Sequence, residues 1–342
     1  MKHSKHAFEA WTLPGHHWKW RMRHAAVTFA DRFRALPESE QENFDAVWCT
    51  SMLDLAAFVG LSGWRGPAHV YFHENQLTYP TRRDDLRDHH FAITHLTSGL
   101  AAAQSGGAAM WNSAFHRDSF LTAARKLLKK IPGSELDHAV DVIERVSAVL
   151  HPGVDIAPRK SIQKTDGPIH ILWVGRWEHD KDPDAFFAAL KKLKKRGAAF
   201  RLSVLGESFE QAPDCFATAR RRFADEIVAW GYQPSRVDYE HVLQEADVVV
   251  STARHEFFGL AVVEAVAAGC FPVLPRRLAY PEVFGDHPAY FYDGTPEGLA
   301  ARLAQLGTDL PRTEPQTAER YRWKHAAQAL DRAIENTVVE RV

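Results

Sequence analysis

Four buried-strand runs, at residues 169–174, 201–205, 246–250 and 271–274, recur through the second half of the chain with helix-period segments between them. Strands that are apolar at nearly every position are covered on both faces, which requires a parallel sheet packed between helices. This half is therefore expected to be a doubly wound α/β domain. The first half repeats the pattern less clearly: runs 44–48, 68–72 and 108–111 are each followed by a polar turn or helical periodicity, which reads as βα units. Between the halves, residues 156–168 hold two prolines, basic and small polar residues and little apolar content, the composition of a linker. Two lobes follow, 1–155 and 169–315, with a closing stretch 316–342 that has the option of crossing back to the first lobe. Within that stretch, 318–342 reads as one amphipathic helix carrying Tyr321 and Trp323. At the other end, residues 8–13 are the first strand candidate and only seven residues precede them, so an opening βα unit is expected to be absent.

Composition narrows the function classes. The 342 residues are 45% hydrophobic and 25% charged, which excludes a disordered chain and a miniature disulfide scaffold. Lys and Arg number 42 against 43 Asp and Glu, so a polyanionic partner must be held by a local basic patch. Cys49, Cys215 and Cys270 are dispersed without a C-x-x-C pair, which suggests neither a disulfide framework nor a zinc site and fits a reducing cytoplasm. No apolar run approaches the roughly 18 residues of a membrane span, and the N-terminal residues lack the apolar centre of a signal peptide. The helix-period stretch 185–196 has Phe186, Phe187, Leu190 and Leu193 on one face, while Lys191, Lys192, Lys194, Lys195 and Arg196 read as a solvated face.

The richest chemistry lies in STARHEFFGLAVVEAVAAGC at 251–270, which leaves a buried strand, turns through Glu256, Phe257, Phe258 and Gly259, and enters a helix. Open α/β sheets bind ligands at the carboxyl ends of their strands. The free N–H groups of such a helix start suit a diphosphate, and Gly259 permits its close approach. Glu256 and Glu264 are poor phosphate ligands but good acceptors for sugar and ribose hydroxyls. The same spacing also fits a buried helix start with Glu264 as a solvated or capping residue. WVGRWEHDKDP at 173–183 puts Arg176 and Lys181 on the loop after the first strand of this lobe, where two cations would stabilise a departing diphosphate. Taken alone, that loop also fits an exposed turn with an ion pair to Glu178 or Asp180.

Arg176, Lys181, Glu256 and Glu264 together resemble the donor site of the retaining GT-B glycosyltransferases of family 4. HPGVD at 151–155 is similar to that family's interdomain turn and YPEVF at 280–284 to its late Pro-Glu turn. Gly206 and Gly231 match positions where the family's backbone lines the nucleotide. TLPGHHWKWRMR at 12–23, YFHENQLTYP at 71–80 and WNSAFHRDSF at 111–120, with RWEHDKDP at 176–183 and HEFFG at 255–259, resemble the tRNA-queuosine α-mannosyltransferases. That family usually opens with a strand and a Gly-Ser-His type turn ahead of the segment matched by residues 8–13. The resemblance implies two Rossmann-like lobes with parallel sheets facing a central cleft. It implies transfer of mannose from GDP-mannose to queuosine in the anticodon of tRNA(Asp), with retention and without a required cofactor or metal. Arg176 and Lys181 would hold the diphosphate against Phe258, Gly259 and Leu260, Glu264 the ribose and Glu256 the sugar.

The acceptor side is less specific when read from its residues. Residues 1–34 carry seven Lys or Arg against two acids, with Trp11, Trp18 and Trp20 interleaved. Lys19, Trp20, Arg21 and Arg23 supply cations for phosphates beside an aromatic face for an unstacked base. The same composition suits an anionic membrane surface or an ordinary Trp-rich core edge. His73, at the end of an apolar strand, is a candidate to orient or deprotonate an acceptor hydroxyl, or a hydrogen-bonded cleft residue. Glu74, Asn75 and Gln76 add donors and acceptors suited to the cyclopentenediol of queuosine. Histidine pairs such as His16 with His17 and His89 with His90 read as surface residues, not metal ligands. Two rivals use the same features: a family 4 enzyme acting on a lipid or polysaccharide, and a tRNA-binding relative that does not transfer.

Overall fold

The computed structural model describes residues 2–79, 86–131, 135–157, 167–208, 212–311 and 316–339. The chain divides into two compact units, one of Met1–His151 with Lys324–Val342 and the other of Pro152–Trp323. The expected linker falls mostly outside the described residues. Of its described part, Ile156 is fully buried and the Ala157 carbonyl accepts from Gln244.

The first unit is built on a four-stranded parallel sheet, β1 (Val47–Thr50), β2 (Ala68–Phe72), β3 (Ala109–Trp111) and β4 (Ser147–Val149), in that spatial order. The strand residues Ala68–Phe72 and Ala109–Trp111 are all buried, which explains why these two runs were legible as sequence. Trp111 stacks on Phe72 with centroids 4.1 Å apart and planes 9° apart, and Phe120 closes the cluster at 4.9 Å from Trp111. The helix Leu55–Ser62 is capped by Asp54 and Ala114–Leu128 by Ser113, each accepting from a first-turn backbone N–H. Ala329, Leu330 and Ala333 of the helix Trp323–Val339 pack on Tyr71, Met110 and Leu150, and Thr337 Oγ1 lies 3.2 Å from His69 Nε2.

Three expectations fail here. Residues 8–13 form no strand. Trp11 and Leu13 instead pack against the core, with the Trp11 ring 6.2 Å from Phe29 and 6.4 Å from Phe44, so their apolarity serves packing and not sheet pairing. Phe44 likewise lies outside β1. The single closing helix is in fact two, Gln316–Glu319 and Trp323–Val339. The break arises because Val154 pairs with Arg322 as an isolated bridge: Val154 N donates to Tyr321 O at 2.7 Å and Trp323 N to Val154 O at 3.1 Å.

The second unit holds a six-stranded sheet of β5 (Ile169–Val174), β6 (Phe200–Leu205), β7 (Ile227–Gly231), β8 (Val248–Val250), β9 (Phe271–Pro275) and β10 (Phe291–Tyr292). Its order is β10-β9-β8-β5-β6-β7, with every pairing parallel. The chain runs outward from β5 through β6 to β7, then returns to the other side of β5 for β8. The strand order therefore reverses between β5 and β8, and a crevice opens at their carboxyl ends. All three cysteines are free, and no helix among the described residues is long and apolar enough to cross a membrane.

Trp111 is fully buried and central to its aromatic cluster. Trp111→Ala is expected to cost about 3–5 kcal/mol in urea unfolding, and a loss under ~1 kcal/mol would contradict this account of the core.

Candidate functional site

The β5 and β8 loops at the reversal point are cross-linked through Lys181. After β5 the chain passes Gly175 and Arg176, makes a 3-10 turn over His179–Lys181, and enters the helix Pro183–Lys195 at Asp182, whose carboxylate caps Ala185 N. Lys181 Nζ lies 3.1 Å from Glu256 Oε2 and 3.2 Å from Asp180 Oδ2, and donates to the His255 carbonyl at 3.0 Å. Burial pulls the Lys181 pKa down, but the carboxylates of Glu256 and Asp180 outweigh it and leave the ammonium above its ordinary value. Further bonds tie the same loops: Thr252 Oγ1 donates to Lys181 O at 2.8 Å, Arg254 N to Asp180 O at 2.8 Å, and Arg254 Nε to Asp182 Oδ2 at 2.7 Å. His255, packed against this cluster, is pushed down to about 4, by burial first and then by the Lys181 charge.

Arg176 sits on the rim of the loop, half-exposed, with its guanidinium 3.4 Å from Glu178 Oε2. The ion pair that the loop alone suggested is thus present. Arg176 is also close enough for its charge to lower His255. Gly206 and Gly231, at the ends of β6 and β7, are joined by a Gly206 N to Gly231 O bond of 3.3 Å. Gly206 has φ +152, and a Cβ there would fall 1.8 Å from the Gly175 carbonyl oxygen, so only glycine permits this approach of the loops.

The helix Leu260–Ala268 begins at Gly259, in the left-handed region at φ +91, with no side-chain cap. Among the described residues the N–H groups of Leu260, Ala261 and Val262 have no protein acceptor. An uncapped first turn beside a partly buried ammonium is chemically an anion site. Phe258 contributes backbone only, because its ring is buried edge-on to Tyr321 at 5.2 Å. Glu264, farther along this helix, accepts from Arg236 Nη2 at 2.9 Å and from Tyr239 OH at 2.8 Å. The structure therefore brings Lys181 and Glu256 into contact and sets Gly259 and Glu264 on one helix.

Asp182, Arg254, His255, Arg236 and Tyr239 were missed by sequence reasoning, while Asp180 was read only as an ion-pair partner on an exposed turn. Arg254 and His255 had a signal, since they immediately precede Glu256. Arg236 and Tyr239 had none, because they reach Glu264 from a separate helix, Arg236–Glu245.

In the first unit, His73 follows β2 and reaches solvent on one side, with its ring edge on Tyr71 at 4.6 Å. The protein on its other side lowers its pKa from 6.5. Asn75 is fully buried and its Oδ1 accepts from Thr78 N and Oγ1, so its carbonyl shapes the loop. Gln76 Nε2 donates to Glu74 Oε1 at 3.2 Å. Asn112 donates from Nδ2 to His73 O at 2.8 Å and lies 2.8 Å through Oδ1 from His116 Nδ1. The helix Trp18–Arg34 buries Met22, Ala25, Ala26, Ala30 and Phe33 and leaves Lys19, Trp20 and Arg23 exposed, with the Arg23 guanidinium 5.4 Å from the Trp20 ring. Arg21 is half-buried, 3.4 Å from both His24 and His16. His16 and His17 are exposed surface residues, while the side chain of His89 lies outside the description. No group of His, Cys, Asp and Glu fit to hold a metal occurs among the described residues.

Residues 156–336 match the family model of glycosyl transferases group 1, and residues 1–154 match that of the tRNA-queuosine alpha-mannosyltransferase N-terminal domain. The tRNA-queuosine alpha-mannosyltransferase of Drosophila melanogaster is 33% identical over 294 residues, 82% of this chain and 75% of the fly protein. A GDP-mannose:cellobiosyl-diphosphopolyprenol alpha-mannosyltransferase of Xanthomonas oryzae pv. oryzae is 28% identical over 166 residues, 48% of this chain and 43% of that protein. Among solved structures, the lipopolysaccharide outer core galactosyltransferase WaaB superimposes with a TM-score of 0.60 at 14% identity, covering 95% of this chain and 81% of WaaB. OtsA gives 0.63 at 14% identity, covering 95% and 79%. The chain is an α/β glycosyltransferase of the GT-B class, as its sequence pattern led us to expect. Within that class it belongs to the tRNA-queuosine alpha-mannosyltransferase family.

The His255 ring reports the charge of the cluster. Its folded pKa of about 4 lies below the ordinary 6.5, so on acidification the unfolded chain takes up this proton first. The stability this group contributes is complete above pH 6.5 and is lost as pH falls toward 4. An NMR titration of the His255 ring is expected to show a midpoint near 4 that moves upward in Lys181→Met. A midpoint at 6.5 in the native chain would contradict the burial described.

Proposed function

We propose that this chain moves mannose from GDP-mannose onto the cyclopentenediol of queuosine at the anticodon wobble position of tRNA(Asp). The family membership supports the acceptor class, and the GDP-mannose-dependent relatives of the donor half support the donor. The observation that carries the reading is the partly buried Lys181 ammonium bridging two strand-end loops, in a unit whose helix at Gly259 starts without a cap. In this reading Lys181 and Arg176 neutralise the diphosphate while the backbone of Phe258, Gly259 and Leu260 donates to it. Glu256 accepts from sugar hydroxyls, Glu264 from the ribose, and the backbone at Gly206 and Gly231 lines the nucleoside. These cations and the helix start supply the positive groups of the site in this reading, which invokes no divalent metal.

The acceptor oxygen forms its bond to the anomeric carbon on the face from which the diphosphate oxygen departs, which retains configuration. The acceptor proton passes to the departing diphosphate. No protein carboxylate serves as nucleophile, in contrast to retaining hydrolases. His73 orients the acceptor hydroxyl, Glu74, Asn75 and Gln76 shape its loop, and Lys19, Trp20, Arg21 and Arg23 hold the RNA by phosphate contact and stacking. We place the reaction in the cytoplasm, with its tRNA.

Labelled mannose from GDP-mannose is expected to appear on queuosine-containing tRNA(Asp) and not on queuosine-free tRNA. Label recovered in a lipid or polysaccharide fraction instead, or no label at all, would overturn the reading. Arg176→Ala is expected to cut kcat/KM about 100-fold and Lys181→Ala about 1000-fold, and near-native turnover in either would remove that residue from the mechanism.

A further inference from the structure

The helix Pro183–Lys195 starts beside Lys181 and runs back along the sheet for 13 residues, a length of about 20 Å. Its last turn therefore lies at the amino edge of the strands, far from the donor loops. The helix Cys215–Arg222 packs on it through Phe216 and Phe187, with centroids 5.5 Å apart. The two C-terminal ends meet: Lys194 Nζ lies 6.0 Å from the Phe223 ring and 2.6 Å from Glu226. The lysine cluster that looked like an ordinary solvated face thus has a second cationic group beside it.

Lys191, Lys195, Arg196, Arg220, Arg221 and Arg222 are all exposed. Among the described residues none of them makes an ion pair or a side-chain hydrogen bond. The acids nearby do not offset them, since Glu226 is taken by Lys194 and Glu297 by Lys192, which leaves Asp225. A favourable interaction with the helix dipole is worth only about 0.3–1 kcal/mol and is confined to the last turn, so it explains one or two cations and not this group. The chain as a whole is nearly neutral, which makes the concentration of cations at one edge a local feature.

We propose that this edge docks the ribose-phosphate backbone of the RNA acceptor, away from the nucleotide that receives the sugar. The proposal rests on the RNA acceptor assigned above. A distance of about 20 Å exceeds the Debye length of roughly 8 Å at physiological salt, so the patch does not steer the nucleotide sugar. Only an extended polyanion reaches both places. The guanidinium forks of Arg220, Arg221 and Arg222 match phosphate oxygens pairwise.

The test compares the native chain with a variant carrying Lys191→Gln, Lys195→Gln, Arg196→Gln, Arg220→Gln, Arg221→Gln and Arg222→Gln. Affinity for full-length tRNA(Asp) and for its isolated anticodon stem-loop is read by fluorescence anisotropy across a salt series. We expect the Kd for full-length tRNA to rise about tenfold near 0.15 M salt, with a shallower log-log salt slope. The stem-loop Kd and the GDP Kd are expected to stay within about twofold of native, with the thermal midpoint unchanged. An unchanged tRNA Kd and slope overturns the proposal. Equal losses for both RNAs, or a lost GDP affinity, also overturns it, because the defect is then not at a distant docking edge. Flotation with anionic phosphatidylserine vesicles that the variant loses while tRNA binding stays native assigns the edge to a membrane instead. Because binding is read without sugar transfer, failure of the acceptor assignment shows separately as absent label in the transfer assay.

Discussion

A partly buried ammonium organises the donor half. Removing an isolated Lys side chain from water costs several kcal/mol, and only close, well-placed partners offset it. Lys181 donates to the Glu256 carboxylate and the His255 carbonyl and forms an ion pair with Asp180 at 3.2 Å. One side chain thereby fixes the loop after β5 to the loop after β8. In the proposed reaction a diphosphate oxygen joins this cluster, and Glu256 is the partner whose oxygens sugar hydroxyls can take over. Donor binding then exchanges contacts inside the cluster instead of ordering a loop from nothing, which keeps the entropy cost of binding low.

The location of the cluster follows from topology. Loops that leave adjacent strands in opposite directions cannot cover the strand ends between them, so the reversal between β5 and β8 leaves backbone N–H groups and short turns facing one crevice. Glycines at the neighbouring strand ends extend that opening. A side chain at Gly206 would collide with the Gly175 carbonyl and force the β5 loop, with Arg176 and Lys181 on it, away from the crevice.

What was legible in the sequence was whatever burial imposes on consecutive residues. β5, β8 and β9 stand out because both of their faces are covered. β7 and β4 did not, since their residues are largely half-exposed and their composition is mixed. Residues 8–13 misled because aromatic residues pack as well against a helix as within a sheet. The closing helix misled because its periodicity runs through a break that only the distant Val154 creates. At the candidate site, the contact of Lys181 with Glu256 was anticipated by their places after β5 and after β8, whereas the roles given to Arg176 and Glu264 are part of the proposal. The partners that orient them, such as Asp182 for Arg254 and Tyr239 for Glu264, come from contacts far apart in sequence and leave no local pattern.

The engagement of Glu264 is a case where a missed partner changes the chemistry and not only the inventory. A carboxylate with both oxygens already accepting hydrogen bonds looks spent, yet it offers about four lone-pair sites, of which Arg236 and Tyr239 use two. The remaining two lie on separate oxygens, the arrangement that a vicinal diol meets with two O–H donors. A free carboxylate would have to stop rotating when ribose binds, whereas this one is already held by a phenol and a guanidinium. Burial raises the Tyr239 pKa, so its hydroxyl stays protonated and donates toward the carboxylate, which holds Glu264 in one direction. Ribose recognition in the proposed reaction then depends on the helix Arg236–Glu245 as much as on Glu264 itself, and this couples the end of β7 to the helix that begins at Gly259.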